Sequence, residues 1–100
     1  MKNKIAYFMA KDTRLIVDNL TKVIIDENTV VVKYTVFRRN LDDLTIIAIR
    51  YYKSKNSVII YDKLKKYNPN VYEGFIEWAN EKGIKWYSLG TVIIDEKEEI

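Results

Sequence analysis

Residues 68–83 read NPNVYEGFIEWANEKG, and this stretch decides the fold class. Asn68 or Asn70 can cap a helix, Pro69 suits its first turn, Glu73 lies early in it, and Gly83 stands just past its end. Between these signals Tyr72, Phe75, Ile76 and Ala79 recur at helical spacing, while Glu73, Glu77, Asn80 and Glu81 face water and Trp78 sits at the border. The spacing therefore predicts one principal helix, Pro69 to Lys82. Its apolar stripe needs a partner layer.

The segments before it supply that layer. Residues 22–26 and 29–37 are rich in Val, Ile, Tyr and Thr, and Glu27-Asn28 between them suits a tight turn, so a β-hairpin is expected. In the second arm Val30, Val32, Tyr34 and Val36 alternate with Val31, Lys33, Thr35 and Phe37, which implies a half-exposed sheet. Residues 40–53 carry two signals. Asn40, Asp42 and Asp43 could open a helix, with Leu41, Leu44, Ala48 and Tyr51 at helical spacing. Thr45, Ile46, Ile47 and Ile49 crowd β-branched side chains together, and the strand is preferred for that reason. Residues 57–62 form a further short strand with Val58, Ile59 and Ile60 buried.

After Gly83 a last strand is expected over residues 84–95, bent at Gly90. At the other end, Ile5, Tyr7 and Met9 alternate with Ala6, Phe8 and Ala10, which predicts a buried first strand over residues 4–10. Residues 12–20 fit either a short capped helix or a strand. The expected class is α+β, a mainly antiparallel sheet of about five strands packed by one helix, with the strand order open. One domain spans residues 1–100, with a short acidic tail over residues 96–100. The strings VIIDE at 23–27 and 92–96 match, but no longer period accompanies them, so they are read as two strands ending at acidic turns.

Composition narrows the function. With 48% hydrophobic and 31% charged residues the chain belongs with globular proteins, not disordered ones. It has no cysteine, which excludes disulfides, thiolate metal sites and cysteine nucleophiles. It also has no histidine, which removes the usual general base and every Ser-His or Cys-His triad. No apolar run approaches the roughly 20 residues of a membrane helix, and the start of the chain does not read as a signal peptide. A cytoplasmic protein without a cofactor or membrane association is expected. Frequent Ile, Lys, Asn and Tyr suggest an AT-rich genome, and hence a phage, plasmid or low-GC bacterial source.

Charge is distributed unevenly. Residues 38–67 hold eight cations against three carboxylates, whereas residues 68–100 hold three cations against seven. A basic middle and an acidic last third make a two-faced molecule. In the middle Arg38, Arg39, Arg50, Lys53, Lys55, Lys63, Lys65 and Lys66 are interleaved with Tyr51, Tyr52, Tyr61 and Tyr67. Cations that hold phosphates beside rings that stack bases are what single-stranded nucleic-acid binding requires, each stacked base contributing roughly 1–3 kcal/mol. The competing reading makes these lysines solvated turn residues and these tyrosines ordinary half-buried strand residues. Trp78, Trp86 and Tyr87 are read as packing residues on the same grounds.

Other motifs carry less. Asp62 with Asp95 and Lys97 is loosely like the acidic pair and D-x-K element of magnesium-dependent nucleases, but acidic residues end strands routinely. Tyr52-Lys53-Ser54-Lys55 fits a Y-x-x-K pattern whose companion metal site would need histidines. Tyr34-Thr35-Val36-Phe37, Asn40-Leu41 and Ser57-Val58-Ile59-Ile60-Tyr61 resemble the middle of the small CRISPR-adaptation nucleases. That family places an aspartate directly at the end of its first strand, where this chain has Tyr7-Phe8-Met9-Ala10, so no function is carried over.

The sequence thus points to a non-enzymatic binding or regulatory module of a phage or mobile element. Its expected nucleic-acid-binding residues are Arg38, Arg39, Arg50, Tyr52, Lys53, Lys55, Lys63, Lys65 and Lys66, with no metal or catalytic residue assigned. A host protein met by the acidic helix, the tail or a sheet edge is the alternative partner, and a magnesium-dependent nuclease is a third reading. Homo-oligomerisation is left open.

Overall fold

A computed structural model describes residues 19–89 together with Met9. The elements run β1 (Leu20–Asp26), β2 (Thr29–Val36), β3 (Leu44–Tyr52), β4 (Ser57–Tyr61), α1 (Lys63–Tyr67), α2 (Pro69–Lys82) and β5 (Lys85–Leu89). The strands form one sheet in chain order, β1-β2-β3-β4-β5. The first four make an antiparallel meander, and β5 joins β4 in parallel after the two helices. That direction follows from the connection, because α2 carries the chain back along the sheet before β5 begins. The expected α+β class with one principal helix is what the chain adopts.

Local chemistry accounts for most boundaries. The Asn68 side chain accepts the Val71 N–H at 3.1 Å, Pro69 occupies the first helical position, and Gly83 closes α2 in the left-handed region at φ 70°. At the β1–β2 turn, Asp26 Oδ1 accepts the Asn28 N–H at 2.7 Å, an Asx turn that reverses the chain over Glu27-Asn28. The β-branched run in residues 45–49 settles as strand, paired with β2 on one side and β4 on the other. Asn56 takes a positive φ of 50° at the end of the β3–β4 turn, and its Nδ2 donates to the Gly83 carbonyl at 2.9 Å. That bond ties the hairpin to the end of α2.

The core lies between one sheet face and the helices. Leu20, Val30, Val32, Tyr34, Ile46, Ala48, Ile49, Val58 and Ile60 meet Leu64, Val71, Tyr72, Phe75, Trp78 and Ala79 there. Trp78 packs edge-on against Tyr51 at 5.2 Å and against Phe75 at 6.5 Å between ring centroids. It is therefore inside the core and not at the border of the stripe, while Ile76, expected inside, is only half-buried. The helix is rotated toward its aromatic side because Trp78 removes more apolar area from water than Ile76 does.

Two further expectations change. Residues 63–67, for which no element was expected, form the short helix α1, which buries Leu64 completely under β3 and β4. Of the first strand expected over residues 4–10, only Met9 is described, and it is helical and packs on the core. The segment 12–18, the bend at Gly90 and the continuation of the last strand to residue 95 lie outside the described residues, as does the acidic tail.

Candidate nucleic-acid interface

Register assigns each side chain to a face, since residues directly opposite each other on neighbouring strands point the same way. One row runs Thr29, Tyr52, Ser57, Lys85 across β2 to β5. The next runs Val23, Val31, Arg50, Ile59, Tyr87 across all five strands. Further along, Lys33 pairs with Ile47 and Thr35 with Thr45 on β2 and β3, and Tyr61 pairs with Leu89 on β4 and β5. The intervening rows hold the core residues, so these rows form the outer face. The two outer-face residues that are buried, Val31 and Tyr61, stand apart from the helix-side cluster. Among the described residues, no helix covers this face.

The β3 register contains one irregularity that matters here. Val32 pairs with Ile49 but Lys33 pairs with Ile47, which leaves Ala48 as an extra residue in β3. Such a bulge turns two successive residues toward one side. Ala48 and Ile49 both enter the core with no exposed surface, and Arg50 and Tyr52 are thereby directed outward.

The nine residues singled out from the sequence are spread over separate places. Arg50 and Tyr52 lie on the outer face near the β3–β4 turn, which carries Lys53 and Lys55. The Lys55 ammonium stands 5.8 Å from the centre of the Tyr52 ring, and the Lys53 N–H donates to the Asn28 carbonyl at 2.7 Å. Arg38 and Arg39 belong instead to the β2–β3 loop, at the opposite end of β3. Arg38 Nε donates to the Asp42 carbonyl at 2.8 Å, which holds the guanidinium against its own loop. Lys63, Lys65 and Lys66 are on α1, past the end of β4 that lies away from the β3–β4 turn, with Lys65 5.8 Å from the Tyr72 ring and Lys66 5.7 Å from the Tyr67 ring. Nine residues of β3 at strand rise put about 27 Å between the β3–β4 turn and the β2–β3 loop, and α1 starts where β4 ends, beside the middle of β3. The segment that is continuous in sequence is not one patch.

In its place the outer face assembles residues from separate strands. Lys33, Arg50 and Lys85 share it with Tyr52 and Tyr87, and Tyr87 is half exposed. Among the residues in these rows one carboxylate occurs, Asp26, which lies opposite Thr29 at the β1 end of the first row and accepts the Asn28 N–H. Other exposed acids include Glu27, beside Asp26 at the β1–β2 turn, and Glu73, Glu77 and Glu81 on α2, on the helix side of the sheet. Lys33, Lys85 and Tyr87 were not among the residues expected from the sequence. The alternation in residues 29–36 and 85–89 would have placed them on a common side only if the strand order had been known. Tyr87, read as a packing residue, is solvent-facing, whereas Trp86 turns toward α2 and its Nε1 donates to Asn80 Oδ1 at 3.1 Å.

Asp62 sits at the end of β4, where its N–H donates to the Leu89 carbonyl at 3.0 Å and it precedes α1. Asp95 and Lys97 lie outside the described residues. Among the described residues, no three acidic side chains come together in a way that could hold a metal ion, and no helix is long and apolar enough to cross a membrane. A polar cavity of about 350 Å³ lies between Asn19, Tyr34, Asn68, Asn70 and Val71. No family model, no curated protein and no solved structure matches the chain.

Proposed function

We propose that the protein is a non-enzymatic nucleic-acid-binding module that works through the outer face of its sheet and the adjoining β3–β4 turn. The observation that carries this reading is the outer face itself, where Tyr52 and Tyr87 stand among Lys33, Arg50 and Lys85 on β2 to β5, strands whose paired rows hold no carboxylate, Asp26 lying beyond them on β1. A polyanion gains from such a face by releasing counterions, and exposed rings offer a sequence-tolerant stacking surface. The acidic outer side of α2 repels the same ligand and so fixes which side of the molecule it meets. Lys53 and Lys55 extend the basic surface past the end of the strands.

The test is a fluorescence-anisotropy titration against labelled DNA and RNA over a range of salt concentrations. Binding that weakens steeply with salt, and that is lost in a Lys33→Glu, Lys85→Glu double variant, supports the reading. Absence of binding at low salt rejects it. The AT-rich residue palette supports a phage or mobile-element source, and the cysteine-free composition supports a reducing, cytoplasmic setting.

One observation favours a second reading, a protein partner. Strand β1, the edge of the sheet among the described residues, exposes Ile24 and Ile25 beside the irregular pairing at Asp26, and the β2–β3 loop exposes Phe37 and Leu41. A partner strand added along β1 would cover Ile24 and Ile25. Ile24→Lys with Ile25→Lys would abolish that association and leave salt-sensitive binding to nucleic acid unchanged.

A further inference from the structure

We infer that the ligand of the outer face is an unpaired nucleic-acid strand lying across β3, β4 and β5, with Tyr52 and Tyr87 each stacking a different base. This rests on the nucleic-acid reading above and deepens it to a substrate class. Three geometric facts lead there.

The first is the separation of the rings. Tyr52 is on β3 and Tyr87 on β5, two strand spacings apart, and their rows are offset by two residues. At about 4.8 Å per strand and about 3.3 Å per residue, the two side chains leave the sheet ~12 Å apart. Bases in a duplex are stacked at about 3.4 Å along each strand. Two bases that each lie on one of these rings are therefore not stacked on one another, and the strand that carries them is open.

The second is the width of the face. The four strands β2 to β5 span three spacings, about 14 Å of backbone before side chains are added. The major groove is about 12 Å wide and admits one helix or a two-stranded ribbon. A duplex resting on this face would touch it with phosphates alone, and both rings would lose their partners.

The third is the order of charges and rings. Along one row Lys85 follows Tyr52 with Ser57 between them, and in the next Tyr87 follows Arg50 with Ile59 between them. Each ring thus has a cation two strands away on its own row. A strand crossing from β3 to β5 meets ring and cation in both rows, which suits bases facing the sheet and phosphates reaching the rim. Half-buried Ile59, between Arg50 and Tyr87 in the second row, adds apolar surface for the sugars.

Anisotropy with the full chain and a labelled unpaired oligonucleotide, alongside the same oligonucleotide annealed to its complement, tests this. Ribose and deoxyribose versions of the strand are both used, and preference for either identifies the source. The expected result is binding of the unpaired strand at least about tenfold tighter than the duplex. Tyr52→Leu and Tyr87→Leu should each weaken the unpaired strand on the order of tenfold, the loss of one stacked base, and leave the duplex unchanged. Leucine retains apolar bulk, and circular dichroism confirms that each variant is folded. Tyr87→Phe should bind as the parent does. Equal or tighter binding of the duplex overturns the inference while the nucleic-acid function stands. Unpaired-strand binding that neither leucine variant weakens also overturns it, because the rings would then carry no base. If neither form binds at low salt, the proposed function itself fails.

Discussion

Asn68 shows how much a single side chain settles. Its oxygen caps α2 by accepting the Val71 N–H, and its Nδ2 donates to the buried Tyr34 hydroxyl at 3.1 Å, so one residue fixes both the start of the helix and its seat on β2. Asn68→Ala removes the cap and leaves the Tyr34 hydroxyl without this partner, and a loss of about 1–3 kcal/mol is expected in urea unfolding. Asn68→Asp, whose carboxylate can accept from both groups, should recover most of it. Gly83 is the complementary case at the other end of α2. An added Cβ would meet nothing within 4 Å, so Gly83→Ala should cost only the left-handed backbone penalty, about 1 kcal/mol, with Gly83→Asn nearer to neutral. Asn56 and Gly83 were legible at different depths. A glycine after an apolar helical stripe is a local signal, but the bond from Asn56 to Gly83 joins residues 27 positions apart in the chain and left no trace in the sequence.

Among the elements, α2 was the most legible because its cap, its stripe and its terminator all fall within one continuous stretch. Its rotation was not, since whether Trp78 or Ile76 goes inside depends on Tyr51 waiting on β3 to receive the indole. The short helix α1 escaped notice because five residues give too little periodicity to separate a helix from a charged turn. Its one fully buried side chain, Leu64, nevertheless seals the core beneath β3 and β4. Leu64→Ala should therefore destabilise the protein by about 2–5 kcal/mol in chemical unfolding, as truncation of a fully buried leucine does. Replacing the exposed Lys63, Lys65 and Lys66 by glutamine should move the unfolding midpoint little, which would identify α1 as a structural element held by one residue. The choice of strand over helix for residues 40–53 came from β-branched crowding; the strand forms over Leu44–Tyr52, where pairing on both sides makes that crowding favourable, and residues 40–43 belong to the loop before it.

For the whole molecule the decisive property is the separation of charge between the outer sheet face and α2. The salt dependence of binding reads it directly. Changing Lys33 and Lys85 to glutamine should lower the slope of log affinity against log salt for an unpaired strand by roughly 0.7 per cation. The same change at Lys63 and Lys66, on α1 and outside the rows of the outer face, should leave the slope close to that of the parent protein. That contrast distinguishes the outer face from the basic segment as the sequence presents it. If the α1 lysines carried the slope instead, the interface would have to be moved to the β2–β3 loop and α1.

The sequence by itself determined the α+β class, the limits of α2, the β1–β2 hairpin and the strand character of β4, and for β3 it favoured strand while leaving a helix open. Each of these rests on signals within a few residues of one another, such as turn chemistry, capping and periodicity. Only the tertiary structure decided the strand order, the parallel entry of β5 and the membership of the candidate interface. Alternation gives a side for every residue along one strand but says nothing of which strands are neighbours. It also fails at the bulge: counting back by twos from Tyr52 would place Ala48 and Ile46 on the outer face, whereas the extra residue sends both into the core and turns Ile47 and Thr45 outward. Lys33, Arg50, Tyr52, Lys85 and Tyr87 share one face because long-range register brings together strands that the chain keeps apart.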